Sequence, residues 1–258
     1  MPRRPRLDFA GFHHVVNRGV AQTDIYLCKT DKEMFLKILC KACQLYKVNV
    51  HDYCLMDNHY HIIVETTGEN ISLFMRHINS NYAIYFNKRY QRSGHLWQGR
   101  YKSWYIVDDA YLYTLFRYIE HNPIKAKMSE EVGEYEFTLL ATLLNSNLTT
   151  PVCAQHSKLK KEIHHEGILD SLEIAPSDEE LEDLLKEQKK KIIQVEHEYI
   201  TESLCDLDTY FSDKLSRQER DEKIVQALEE GHTQASIARH LELSPSAIVK
   251  IKNRAVKK

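Results

Sequence analysis

The run Cys54-Leu55-Met56-Asp57-Asn58-His59-Tyr60-His61-Ile62-Ile63-Val64-Glu65 decides the fold. Residues 59–65 are mostly β-branched or aromatic and include no Gly or Pro, which predicts a strand entered from an Asp-Asn turn. Side chains alternate along a strand, so His59 and His61 point the same way, about 6–7 Å apart at the usual rise. Two imidazoles so placed can grip one ion. The same pair is also what two hydrogen-bonded structural histidines look like. Tyr60, Ile62 and Val64 form the opposite, apolar face, which suits packing against helices.

Working outward, residues 48–56 read as the partner strand of an antiparallel hairpin across Asp57-Asn58. Before it, Asp31 is placed to cap a helix over residues 31–46, with Phe35, Ile38, Leu39, Ala42 and Leu45 at helical spacing. A first strand spans residues 12–18 and ends at Gly19. Downstream, residues 71–90 form a helix whose stripe of Phe74, Met75, Ile78, Tyr82 and Tyr85 or Phe86 reads as core rather than as a base-stacking surface. Residues 101–107 are a fourth strand, and Asp108 or Asp109 caps the helix that follows. Strand, helix, strand, strand, helix, strand, helix is the order of an α+β, ferredoxin-like domain: an antiparallel sheet with two helices on one face.

The last of these helices carries Tyr111-Leu112-Tyr113-Thr114-Leu115-Phe116-Arg117-Tyr118-Ile119-Glu120-His121-Asn122-Pro123 and stops near Asn122, because Pro123 disfavours helical geometry in the residue before it. Tyr118 and Asn122 are four apart and share a face. A phenol and an amide oxygen can then be offered together to a site on another element.

The formal net charge of −2 conceals a split. Residues 1–128 carry 18 Lys and Arg against 11 Asp and Glu, a formal +7, so the front half is the likelier partner of a polyanion by charge alone. Cys28, Cys40, Cys43, Cys54, Cys153 and Cys205 lack the repeated close spacing of a zinc ribbon and read as reduced thiols. No apolar stretch reaches the length of a signal peptide core or a membrane span, which predicts a cytoplasmic protein.

Beyond residue 140 the character changes. Residues 141–215 read as a helical linker region, with residues 178–199 rich in Glu, Lys and Leu. Residues 216–258 resemble a helix-turn-helix DNA-binding domain: Gly231 closes a first helix, Thr233 and Ser244 cap the next two, and Pro245 takes its favoured first position. Ile237, Leu241, Leu243, Ile248 and Ile251 close the helices on one another, while Lys250, Lys252 and Arg254 are placed for a phosphate backbone or groove. Glu242 departs from the pattern, since that turn position favours Gly. The alternative is a helical hairpin packed on the front domain.

Four stretches together carry a family resemblance over roughly residues 1–140: Asn17-Arg18-Gly19; Leu55-Met56-Asp57-Asn58-His59-Tyr60-His61; Gly94-His95-Leu96-Trp97-Gln98-Gly99-Arg100-Tyr101-Lys102-Ser103; and Arg117-Tyr118-Ile119-Glu120-His121-Asn122-Pro123. The chain resembles the single-tyrosine HUH transposases of the insertion-sequence type and, within them, the REP-associated tyrosine transposases. It departs from the pattern at Asp57, where members often carry proline, and at Tyr60, where a smaller aliphatic is common.

The resemblance implies metal-dependent nicking and strand transfer on single-stranded DNA folded into hairpins. Tyr118 would be the nucleophile, leaving a 5′-phosphotyrosine and a free 3′-hydroxyl. His59, His61 and Asn122 would hold one divalent metal, Mg²⁺ or Mn²⁺. Arg3, Arg4, Arg18, His95, Trp97, Gln98, Arg100 and Lys102 are the expected DNA contacts, with Trp97 as core filler the competing reading. Glu65 is a candidate to orient a histidine from behind. A monomer is expected; relatives that share tyrosine helices between two subunits make a dimer the other arrangement. The alternative functions are a domesticated, non-cleaving DNA-binding regulator and a metal-dependent hydrolase of a small substrate.

Overall fold

The computed structural model of the chain describes residues 8–163, 167–203, 207–211, 215–229 and 234–255. It divides into two compact units, Met1–Lys189 and Lys190–Lys258. In the first, β1 (Gly11–Arg18), α1 (Lys29–Tyr46), β2 (Val48–Leu55), β3 (His59–Thr66), α2 (Ile71–Arg89), β4 (Lys102–Ile106) and α3 (Asp109–Glu120) follow in the expected order. The strands lie in the order β2-β3-β1-β4 with every neighbouring pair antiparallel, the ferredoxin-like arrangement.

The period-2 alternation of β3 sorts the sheet's two faces. Tyr60, Ile62 and Val64 are fully buried together with Phe35 and Leu39 of α1 and Phe74, Ile78 and Tyr82 of α2. The Tyr60 ring lies 4.8 Å from that of Phe35, and its hydroxyl donates to Asn79 Oδ1 of α2 at 2.8 Å. On the opposite face β3 presents His59 and His61. Register carries that face across the sheet: Val16 opposes His61 and Arg18 opposes His59, while His14 and Val16 oppose Trp104 and Lys102 on β4. α3 starts from Asp108, whose carboxylate accepts the Tyr111 N–H at 2.9 Å.

Two local expectations change. α1 begins at Lys29 rather than at Asp31; the Asp31 carboxylate is buried, reaches back to the Leu27 N–H at 2.9 Å and accepts the hydroxyls of Tyr85 and Tyr90. It works as a third-position carboxylate closing the first turn, not as the cap itself. The cysteines are not all reduced: Cys40 of α1 and Cys153 form a disulfide with Cα atoms 4.9 Å apart. A separation of 113 residues hides such a pair from any spacing rule. Cys28, Cys43 and Cys54 are free thiols, and Cys205 lies outside the described residues.

The chain after α3 continues the first unit through α4 (Asn122–Lys125), α5 (Leu139–Leu144), α6 (Lys158–Glu162), α7 (Ile168–Glu173) and the start of α8 (Asp178–Ser203). It is fastened by specific bonds. Ser157 Oγ donates to the His51 carbonyl at 2.6 Å, and Arg117 of α3 pairs with Glu180 at 2.7 Å. Gln188 accepts the Val107 N–H and donates to Asp108, securing the entrance of α3.

In the second unit α9 (Arg217–Glu229), α10 (Gln234–His240) and α11 (Pro245–Ala255) share a small core of Ile224, Ala227, Ile237, Ala238 and Ile248. Glu242 adopts φ 52°, so the left-handed turn that glycine would favour forms here with glutamate. The caps expected from Gly231 and Thr233 lie outside the described residues. Among the described residues no helix is long and apolar enough to cross a membrane.

Candidate active site

A cleft of about 740 Å³ opens between the histidine face of the sheet and α3. His59 and His61 line it from β3 and Tyr118 lines it from α3. The two imidazole centroids are 5.1 Å apart, and the Tyr118 ring meets His61 edge-on at 5.6 Å. The phenol of the late helix and the histidines of the central strand therefore share one space.

Burial sets the protonation of the group. It pushes His61 well below the usual histidine range, with His14 and His59 adding to the effect, and it lowers His59, with Arg18 adding. Both imidazoles are thus neutral near pH 7, the form that can coordinate a cation. Burial raises Tyr118, and Asp178 raises it further, so the phenol is protonated at neutral pH. His59 has a defined tautomer. Its Nδ1 lies 2.6 Å from Asn58 Oδ1, and the Asn58 amide is oriented by its own Nδ2 donating to the Gln22 carbonyl at 3.2 Å. Nδ1 of His59 must then carry the proton, which leaves Nε2 as its free donor atom.

Among the described residues no three His, Cys, Asp or Glu side chains converge as a closed metal site. Two neutral imidazoles on one wall of an open cleft still fit a divalent ion that takes its remaining oxygens from phosphate and water. Asn122 is not on the cleft wall. It opens the short helix α4, and its Nδ2 donates to the carbonyls of Tyr118 at 2.8 Å and Ile119 at 3.4 Å.

The expected DNA contacts separate into groups. Arg18, Gln98, Arg100 and Lys102 line the cleft. They meet because the loop before β4 pairs with the end of β1: Gln98 N–H donates to the Arg18 carbonyl at 3.0 Å, and Val20 N–H to the Leu96 carbonyl at 2.9 Å. Gly19 makes that corner, since a Cβ there would stand 2.1 Å from the Thr23 carbonyl oxygen. His95 is exposed and outside the cleft lining. Trp97 packs on Tyr60 and Tyr82 and donates to the Asn79 carbonyl at 2.9 Å, a core position. Glu65 faces His51 at 3.1 Å rather than either cleft histidine. Lys250, Lys252 and Arg254 are exposed on α11 of the second unit, and Arg3 and Arg4 lie outside the described residues.

Two cleft residues carry no signal in the sequence. His14 on β1 has its Nε2 3.0 Å from Nδ1 of His61, and Trp104 on β4 stacks on His14 at 5.4 Å with an exposure of 37%. Alternation along β1 puts His14, Val16 and Arg18 on one face, but the strand register that brings them beside His61 is a long-range property.

Residues 12–122 match the family model described as "Transposase IS200 like". Among solved structures, a REP-associated tyrosine transposase bound to a REP hairpin aligns at 18% identity and a TM-score of 0.47, covering 58% of this chain and 87% of its own. A candidate transposase from Deinococcus radiodurans aligns at 15% identity and a TM-score of 0.34, covering 47% of this chain and 97% of its own. No curated protein sequence matches the chain. Residues 12–122, which contain the whole sheet except the first residue of β1 and hold both His-x-His and Tyr118, are thus the part of the chain that is similar to the IS200-like transposases.

Proposed function

We propose that the protein nicks and rejoins single-stranded DNA by transesterification, with Tyr118 as nucleophile, on hairpin-forming repeats of the REP type. The observation that carries this reading is the edge-on approach of Tyr118 to His61, 5.6 Å between ring centroids, inside a cleft whose rim is cationic. In the reaction the Tyr118 oxygen bonds to phosphorus as the P–O3′ bond breaks; the phenolic proton leaves to solvent, and solvent returns one to the departing 3′ oxygen. The products are a 5′-phosphotyrosine and a 3′-hydroxyl that can attack back on the same or another strand, so no nucleotide cofactor is consumed. His59 and His61 would hold a divalent ion, Mg²⁺ or Mn²⁺, with Asn122 joining only if α4 turns its amide toward the cleft. Such an ion would offset charge growing on the non-bridging phosphate oxygens.

Arg18, Gln98, Arg100 and Lys102 track the phosphates on this reading. Residues 216–258 act as a second DNA-binding module of helix-turn-helix type, with Lys250, Lys252 and Arg254 toward the duplex, and the protein works as a cytoplasmic monomer. The test is covalent trapping. Labelled hairpin DNA with Mn²⁺ gives a protein adduct with the wild type and none with Tyr118→Phe or His61→Ala. Binding without any adduct from the wild type points instead to a non-cleaving regulator. Turnover that survives Tyr118→Phe points to a hydrolase.

A further inference from the structure

We propose that His14 is a positioning residue whose Nε2 accepts the Nδ1–H of His61, fixing His61 in the tautomer that turns its Nε2 lone pair into the cleft. The inference rests on the reading of His59 and His61 as the metal-holding pair and adds the device that prepares the second of them.

The contact itself can be made in two ways. Nε2 of His14 and Nδ1 of His61 are 3.0 Å apart, and one proton lies between them. A neutral imidazole has one donor and one acceptor nitrogen. If His14 donates, the proton of His61 sits on Nε2 and points at the space where a cation would bind. If His14 accepts, that nitrogen is free. His59 shows which arrangement this cleft uses: its Nδ1 faces an amide oxygen that can only accept, so its Nε2 is the free atom. The two histidines become equivalent donors only when His14 also accepts. Metal-binding histidines nearly always donate their other ring N–H to a fixed acceptor, and losing that acceptor costs about 10–100-fold in metal affinity.

His14 is built to stay where it is. Both imidazoles are 6% exposed and their planes are 17° from parallel. Trp104 covers the other side of His14 at 27°, and Tyr118 stands edge-on to it at 6.4 Å. The ring is therefore enclosed by the same aromatic groups that form the cleft, and its strand register holds it diagonal to His61 across β1 and β3.

Two measurements on the full-length protein test the inference. Long-range ¹H–¹⁵N spectra of the metal-free protein read the tautomer directly: a proton on Nδ1 of His61 and none on Nε2 is expected, and the reverse overturns the proposal. Titration with Mn²⁺ alone, without DNA, gives the second readout. His14→Phe, which keeps a ring beneath Trp104 but has no acceptor, is expected to weaken Mn²⁺ about 10–100-fold. His14→Gln, whose amide oxygen can accept, restores most of that loss. Wild-type affinity in His14→Phe overturns the proposal. Mn²⁺ affinity unaffected by His59→Ala and His61→Ala overturns the ligand reading instead, while the metal-free spectrum still decides the role of His14.

Discussion

Both faces of the sheet bury side chains, and the two do opposite work. Toward α1 and α2 the strands present Val15, Val50, Tyr53, Tyr60, Ile62 and Val64, each 0 or 1% exposed. Toward α3 they present His14, Asp52 and His61, 6% exposed or less, and α3 answers with Glu120 at 1%. Burying apolar surface stabilises the fold by roughly 25 cal/mol per Å². Burying ionisable groups does not, and forces them into neutral or shared-proton states. One face holds the domain together, and the other holds ionisable side chains in protonation states that water would not favour.

The largest test of that contrast sits on neighbouring residues of β3. Ile62→Ala is expected to lower unfolding free energy by about 2–5 kcal/mol, as large-to-small changes in packed cores do. His61→Ala should lose the DNA adduct altogether while costing less stability than Ile62→Ala. Urea unfolding of both variants beside the trapping assay checks this. A larger stability loss from His61→Ala would mean that the histidine face is also structural core.

Part of this contrast is legible in the amino-acid sequence alone. The alternation of Tyr60, Ile62 and Val64 against His59 and His61 is a local signal, and it assigns both faces of β3 correctly. The helical stripe of Phe74, Met75, Ile78 and Tyr82 is equally local, and all four are buried. Whatever depends on pairing between distant segments leaves no such trace. His14 and Trp104 lie 90 positions apart and become cleft neighbours through the β1–β4 register. The Cys40–Cys153 disulfide and the Asp52–Glu120 pair join segments across the same kind of gap. The basic, aromatic surroundings of Trp97 point toward DNA, yet tertiary packing puts its ring on Tyr60 and Tyr82.

The two tryptophans sharpen the comparison at the next scale. Trp104 stacks on His14 and is 37% exposed, so its outer side is open to a nucleobase. Trp104→Ala is expected to weaken single-stranded DNA binding by about 1–3 kcal/mol with the melting curve little changed. Trp97→Ala should do the reverse, losing stability first. Fluorescence anisotropy with a labelled oligonucleotide, read against thermal unfolding, separates them. Equal binding losses from both would erase the distinction between core and cleft indoles.

The smallest effects, about 1.4 kcal/mol per pH unit for each group, come from titration and should bracket neutral pH. On the acid side, burial lowers His14 from 6.5 to about 3. Between those values the unfolded chain binds a proton that the fold does not, so stability falls as pH drops below 6.5. His14→Gln should flatten that limb in urea titrations. On the alkaline side stand Asp52 of β2 and Glu120 of α3. Burial raises both, and each also raises or restrains the other.

Asp52 Oδ1 accepts the Tyr53 N–H and Glu120 Oε1 the Leu140 N–H, which leaves Asp52 Oδ2 and Glu120 Oε2 buried without a partner; one proton held by the pair would offset that. The unfolded chain releases that proton in the ordinary carboxylate range, whereas the fold retains it to higher pH. Stability therefore declines as pH rises through that window. Glu120→Gln keeps the Leu140 bond, supplies an N–H to Asp52 and removes the titration, so its advantage over the wild type should grow with pH. A constant difference between the two proteins from pH 5 to 8 would show that no proton is shared there, and that the polar face is held by hydrogen bonds indifferent to charge.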